Sequence, residues 1–254
     1  MTPPILPGAE PYSASGDGRG ALVLHGFTGN PQSMRGLAEA LAGAGLTVEL
    51  PLLPGHGTAV ADMVPTRWED WSAAAEAAYV ALAARCESVV VVGLSMGGTL
   101  SLWLGERHPE IAGLVLVNPL VVPPDADTVA FIDSLIDGGD ELAPGVGSDI
   151  ALEGAVESAY PELPLRAARS LFAAAADVEA GLGSLTCPIL LFSSTQDHVV
   201  APASGDRLVE EVTGPVERIV MERSFHVATL DYDKDLIEER TVQFVAGLLA
   251  PTEA

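Results

Sequence analysis

Ser95 is the residue of this chain whose type and neighbours most directly suggest chemistry. It is the centre of Gly93-Leu94-Ser95-Met96-Gly97, which follows a run of valines and precedes a stretch with the apolar spacing of a helix. A sharp turn from a buried strand into a helix strains the central residue, and glycines on both sides leave room for it. Such a turn presents the hydroxyl at the carboxyl end of a strand, where open parallel sheets bind ligands. We therefore predict that Ser95 is a nucleophile.

A serine hydroxyl becomes an effective nucleophile only when a base takes its proton, which calls for a nearby histidine. The chain has five: His25, His56, His108, His198 and His226. His108 ends the helix that starts after Ser95, and a helix of that length, at about 1.5 Å per residue, places it roughly 20 Å away. The two histidines before the serine are interpreted as loop residues, and His198 as a surface residue. His226 follows the last predicted strand and is the predicted base.

Asp197 is the predicted acid that orients His226. It comes just after the next-to-last predicted strand, from which a carboxylate can reach the loop of His226. A carboxylate bonded to the imidazole holds it in the tautomer that accepts a proton. Ser95, Asp197 and His226 thus each follow a different strand, at the same edge of a parallel sheet.

Two backbone N–H groups are predicted to form an oxyanion hole, which stabilises the negative charge that develops on an attacked carbonyl. One is the N–H of Met96, at the start of the helix after Ser95. The other is the N–H of Phe27, in the loop His-Gly-Phe-Thr-Gly that follows the first clear strand.

Apolar strand-like runs alternate with helical patterns along most of the chain. Runs that are rich in Val, Ile and Leu predict an α/β fold, with a mostly parallel sheet covered by helices on both faces. The predicted strands are 21–26, 46–50, 88–93, 113–118, 187–194 and 216–221. Residues 120–165 are rich in Pro, Gly and Asp and are predicted to form an insertion over the strand ends. The predicted core is then 1–119 together with 166–254.

Composition narrows the class of ligand. A formal net charge of −23, from 35 acidic and 12 basic residues, argues against nucleic acids and anionic membrane surfaces as partners. Cys86 and Cys187 belong to no paired motif, so we expect no disulfide, and we expect neither a metal nor a cofactor. The first residues lack the basic start and apolar stretch of a secretory signal, and no segment approaches the ~20 apolar residues of a membrane span. We therefore expect a cytoplasmic protein without stable membrane insertion.

These motifs resemble those of the α/β-hydrolases, and more narrowly those of bacterial monoacylglycerol lipases and related carboxylesterases. The resemblance rests on LHGFTGNPQSMRGLAEA, PGHGT, GLSMGGTL, DHVVAP and FHVATLDYDKD, which span nearly the whole chain. Ser95, Asp197 and His226 also follow one another in the order that this family uses. The resemblance implies an α/β-hydrolase fold with a short lid at 120–165, and hydrolysis of glycerol monoesters of fatty acids through an acyl-enzyme. By position, it implies that Glu157 binds the glycerol hydroxyls.

Two other functions fit the same residues. A general short- or medium-chain carboxylesterase would use the same nucleophile, base and acid, and Glu157 would have no part in it. A non-catalytic ligand-binding protein of this fold would need none of these residues. The complete set of groups favours an enzyme that acts on a small-molecule ester.

Overall fold

A computed structural model describes residues 4–248. Its strands are β1 (Tyr12–Ala14), β2 (Arg19–Leu24), β3 (Thr47–Leu50), β4 (Ser88–Leu94), β5 (Gly113–Val117), β6 (Leu142–Pro144), β7 (Glu162–Pro164), β8 (Ile189–Ser194) and β9 (Val216–Met221). Seven of them form one sheet in the order β1-β3-β2-β4-β5-β8-β9, while β6 and β7 pair separately. Within the large sheet only β1 is antiparallel to its neighbour, β3. The α/β fold with a mostly parallel sheet, predicted from the sequence, is confirmed.

Eight α-helices accompany these strands within residues 4–248. They are α1 (Arg35–Gly43), α2 (Val60–Met63), α3 (Trp68–Ala83), α4 (Met96–Arg107), α5 (Ala126–Asp137), α6 (Leu165–Gly181), α7 (Ala203–Glu211) and α8 (Lys234–Leu248). Before α1, a 3-10 turn at Pro31–Met34 is capped by Asn30, whose side chain accepts a hydrogen bond from the N–H of Gln32 at 3.0 Å. Among these helices none has the combination of length and apolar composition that a membrane span requires.

The central strands are buried on both faces, which explains why they appear in the sequence as continuous apolar runs. In β4, Val91 packs into one apolar cluster, while Val90 and Val92 pack into the other. Helices α3, α4, α6 and α7 contribute to the first cluster, and α1 and α8 to the second. The sheet is therefore held rigidly, and the loops at the carboxyl ends of β2, β4, β5, β8 and β9 start from fixed positions.

Two features were not predicted from the sequence. Strand β1 has only three residues, too few to show a period, and it is recognisable only by its pairing with β3. The hairpin of β6 and β7 lies within the predicted insertion and joins strands that are equally short. Both depend on partners distant in the chain, so local patterns carry little sign of them.

Candidate active site

Ser95 lies in a strained turn between β4 and α4. Its backbone has φ 55° and ψ −117°, which is unusual for a residue with a side chain. A Cβ atom on Gly93 would lie 2.1 Å from the carbonyl oxygen of Gly97, and one on Gly97 would lie 2.2 Å from that of Leu24. The turn therefore requires glycine on both sides of Ser95, for the steric reason expected from the sequence.

Backbone strain is concentrated at this edge of the sheet. Among residues 4–248, the non-glycine residues with positive φ are Thr28, Ser95 and Asn118. They follow β2, β4 and β5, which are adjacent in the sheet. Such conformations cost about 1–3 kcal/mol each and persist where the surrounding structure enforces them, typically at functional sites.

His226 and Asp197, from the loops after β9 and β8, form a hydrogen-bonded pair. Nδ1 of His226 lies 2.8 Å from Oδ2 of Asp197, and the two side chains are only 7% and 3% exposed. Oδ1 of Asp197 accepts hydrogen bonds from the N–H groups of Val199 and Val200 at 2.9 and 2.8 Å. A carboxylate held in this way accepts the Nδ1 proton, so Nε2 of His226 is left with a free lone pair.

Asn118, at the end of β5, holds the loop of His226 against the sheet. Its amide nitrogen donates to the carbonyl oxygen of His226 at 2.8 Å and to Oγ of Ser194 at 2.9 Å. Its amide oxygen accepts from the N–H of Ser194 at 2.8 Å. The side chain thus ties the loop after β9 to the ends of β5 and β8.

The loop after β2 packs directly against Ser95. A Cβ atom on Gly26 would lie 3.5 Å from Cβ of Ser95, and the N–H of Phe27 is the next along the chain. Met96 is the first residue of α4, and the first N–H groups of a helix have no partner within it. Both predicted oxyanion donors therefore belong to segments that adjoin Ser95.

The ring of His25 stabilises the loop after β2 through two hydrogen bonds. Its Nε2 accepts the N–H of Leu53 at 3.2 Å, so its Nδ1 carries the proton and donates to the carbonyl oxygen of Gly26 at 3.0 Å. Burial lowers the pKa of His25 to about 4, and that of the neighbouring His56 to about 3. Both rings are neutral near pH 7, in agreement with their interpretation as loop residues.

Glu157 lies beside the same loop, although it is far away in the sequence. A Cβ atom on Gly29 would lie 2.6 Å from Oε1 of Glu157. Burial raises the pKa of Glu157, and this effect is opposed by the nearby His226 and the Ser33 hydroxyl, which favour the carboxylate. The structure therefore places the Glu157 side chain against Gly29, in the loop after β2.

The backbone on either side of Glu157 is clamped by the turn that precedes α1. Gln32 donates to the carbonyl oxygen of Val156 at 3.1 Å and accepts from the N–H of Ser158 at 3.0 Å. Asn30 also donates to the carbonyl oxygen of Ser158. These contacts fix the backbone at Glu157 relative to the loop after β2.

Comparison with known proteins agrees with this arrangement. Residues 22–170 match the alpha/beta hydrolase fold family. This chain belongs to that family. The resemblance inferred from the sequence motifs is thereby confirmed.

Several relatives of this α/β-hydrolase are known. It is 43% identical over 246 residues to the thermostable monoacylglycerol lipase of Bacillus sp. (strain H-257), with 96% of each chain covered. It is 29% identical over 242 residues to a carboxylesterase of Bacillus subtilis (strain 168), covering 94% of this chain and 97% of the relative. A solved structure from work on the metagenome-derived lipolytic enzymes LipS and LipT is 42% identical, with a TM-score of 0.92, and covers 96% of this chain and 100% of that one.

The two remaining histidines of this hydrolase, His108 and His198, contact other carboxylates. His108 is at the far end of α4, where Nε2 lies 2.8 Å from Glu76 and Nδ1 lies 3.1 Å from Glu110. His198 is 58% exposed, and its Nδ1 lies 2.8 Å from Oδ1 of Asp149.

Three polar residues of the site were not identified from the sequence: Asn118, Gln32 and Asp149. Asn118 could have been found, because it ends an apolar strand in the same way as the other candidates. Gln32 lies in the 3-10 turn, within one of the family-like motifs, and Asp149 lies in a loop, but only the contacts of the two residues reveal their roles.

Proposed function

We propose that this chain is a serine hydrolase that cleaves carboxylic esters, with Ser95 as nucleophile, His226 as base and Asp197 as orienting acid. The 2.8 Å contact between His226 and Asp197 is the observation that carries the proposal. The loop of His226 is bonded to Asn118, and the N–H of Ser95, in its strained turn, donates to the carbonyl oxygen of the preceding residue, Val117. Labelling of the purified protein with an active-site-directed fluorophosphonate tests it. We expect stoichiometric modification of Ser95, and a folded protein that stays unlabelled would refute the proposal.

The proposed reaction proceeds through an acyl-enzyme. Nε2 of His226 takes the proton of the Ser95 hydroxyl as Oγ attacks the ester carbonyl, and then gives it to the leaving alcohol. The N–H groups of Phe27 and Met96 stabilise the oxyanion, with additional support from the positive end of the α4 dipole. Water then attacks the acyl-enzyme with His226 as base again, which releases the acid and restores Ser95.

Asp197→Asn is expected to lower kcat by about 10⁴-fold. The N–H groups of Val199 and Val200 both donate to Oδ1 of Asp197, so the amide oxygen of asparagine takes that position. Its NH₂ group then faces Nδ1 of His226, which must accept rather than donate, and the proton moves to Nε2. Steady-state kinetics measure the loss, with Asp206→Asn on the exposed face of α7 as the matched control. A kcat within tenfold of wild type would rule out Asp197 as the orienting acid.

For the substrate, we propose a monoacylglycerol. The 43% identity to a monoacylglycerol lipase supports this assignment, as does the Glu157 carboxylate, which lies against Gly29 in the loop that adjoins Ser95. We propose that Glu157 accepts hydrogen bonds from the glycerol hydroxyls, and that residues 120–165 form a lid over the site. Phe131, Val146 and Val156 in this segment are 63%, 66% and 68% exposed, which suits contact with an acyl chain.

For the location, we propose the cytoplasm. The two cysteines are free, as is usual in its reducing environment.

Glu157→Leu is expected to lower kcat/KM for a 1-monoacylglycerol by roughly 10- to 150-fold, the equivalent of ~1.5–3 kcal/mol for hydrogen bonds to a charged group. The methyl ester of the same fatty acid has no glycerol hydroxyls, so its kcat/KM should stay near wild type. Glu157→Gln keeps one acceptor oxygen and should lose less. Kinetics on both esters measure these effects, and Glu153→Leu, at an exposed position of the same segment, is the control.

The same experiment distinguishes a monoacylglycerol lipase from a general carboxylesterase. The 29% identity to the Bacillus subtilis enzyme supports the second assignment. Equal losses on the two esters in Glu157→Leu would mean that Glu157 stabilises the lid and recognises no glycerol. In that case the carboxylesterase is the better description.

A further inference from the structure

Asp149 connects the loop of Asp197 to the loop of His226, and the proposed mechanism needs these two loops to stay aligned. Its Oδ2 accepts the backbone N–H of His226 at 3.1 Å and the backbone N–H of His198 at 3.1 Å. Its Oδ1 lies 2.8 Å from Nδ1 of His198, and its own carbonyl oxygen accepts the N–H of Val227 at 3.0 Å. One residue thus touches the neighbour of Asp197, His226 itself and the residue after it.

The carboxylate of Asp149 is well placed to act through these contacts. Its side chain is only 10% exposed, whereas that of His198, which its Oδ1 contacts, is 58% exposed. A contact with so exposed a side chain contributes little. Hydrogen bonds from two main-chain N–H groups to a nearly buried carboxylate are stronger, because the acceptor is charged and partly shielded from water. The hydrogen bonds to the two main-chain N–H groups are therefore the contacts through which Asp149 mainly acts on the two loops.

A second carboxylate anchors the segment that follows Asp149. Asp231 is fully buried and accepts the N–H groups of Ala151 and Leu152 at 2.7 and 2.9 Å. It also accepts the N–H of Phe225, the residue before His226, at 2.9 Å. Residues 149–152 are thereby fastened to the loop of His226 at two points, so the position of Asp149 is fixed.

We propose that Asp149 is a positioning residue that sets the geometry of the pair formed by Asp197 and His226. The proposal rests on the proposed function, in which that pair activates Ser95. According to this proposal, the segment predicted as a lid also keeps the base His226 aligned with the acid Asp197. Asp149 itself touches neither the substrate nor the reacting atoms.

Replacement of Asp149 by Ala, Asn and Glu separates geometry from charge. Asp149→Ala removes the clamp and should lower kcat by roughly 10- to 100-fold, the size expected when catalytic groups are misplaced. Asp149→Asn keeps one oxygen for the two main-chain N–H groups and should lose less than about fivefold. Asp149→Glu keeps the charge but displaces it by one methylene, and should lose more than Asp149→Asn. Asp140→Ala, at an exposed position of the same segment, is the matched control.

Two substrates distinguish positioning from recognition. If Asp149 positions the pair, the loss of kcat in Asp149→Ala is the same for a 1-monoacylglycerol and for the methyl ester of the same acid, and KM changes little. A loss confined to the KM of the monoacylglycerol would overturn the proposal. Should Asp149→Ala fail to fold, Asp149→Glu decides: a wild-type kcat in this variant, whose carboxylate is displaced by one methylene, would also overturn the proposal.

A proton NMR signal keeps this test independent of activity. The proton shared between Nδ1 of His226 and Asp197 should give a low-field resonance in the wild type, in Asp149→Asn and in Asp140→Ala, and lose it in Asp149→Ala. An unchanged resonance in folded Asp149→Ala would refute the positioning role, whether or not the wild type hydrolyses esters. Absence of wild-type hydrolysis and of fluorophosphonate labelling would refute the proposed function instead.

Discussion

Ser95→Ala is expected to lower kcat for ester hydrolysis by about 10⁶-fold, the size of effect found when the nucleophile of a serine hydrolase is removed. Alanine keeps the Cβ atom, so it fits the strained turn as serine does, and the half-buried hydroxyl contributes little to packing. The free energy of unfolding should therefore change by less than about 1 kcal/mol.

The measurement for Ser95 combines kinetics, fluorophosphonate labelling and thermal unfolding on the same preparation. Ser101→Ala is a useful control, since that hydroxyl lies further along α4 and donates to the carbonyl oxygen of Gly97 at 2.7 Å. It should retain labelling. Turnover near the wild-type level by folded Ser95→Ala would end the serine-hydrolase proposal.

His226→Ala is expected to cost nearly as much as Ser95→Ala, because a nucleophile and its base act as one unit. Asp197 keeps its hydrogen bonds from Val199 and Val200 in this variant, so no buried carboxylate is left without partners and the fold should persist. Circular dichroism and thermal unfolding check the fold, and kinetics at saturating substrate give the loss of kcat.

Two other histidines provide matched controls for this substitution. His108→Ala acts at the far end of α4, and His198→Ala removes an exposed ring that contacts Asp149. Both variants should retain kcat within about fivefold. If His198→Ala were the inactive variant and His226→Ala the active one, the base would be wrongly assigned.

Much of this site could be predicted from the sequence because its signals are local. The glycines around Ser95 are required by contacts within the turn and with the adjacent strand, so the motif itself indicates the geometry. Asp197 follows the buried strand β8 and His226 follows the edge strand β9, and parallel strands bring their carboxyl ends to one edge of the sheet. Three residues far apart in the sequence could therefore be placed together without knowledge of their contacts.

The tertiary structure alone decided how the insertion is attached to that edge. Gln32 binds Ser158 across 126 positions, and Asp149 binds His226 across 77. Each bond joins a side chain outside the strands and α-helices to a backbone group in a distant loop, and such a pairing leaves no period in the sequence. Resemblance to known lipases pointed to Glu157, but the position of its backbone beside the loop after β2 follows from long-range bonds such as those of Gln32. The chemistry of the site is thus encoded at strand ends, where topology is regular, whereas its alignment depends on hydrogen bonds that form only once the chain has folded.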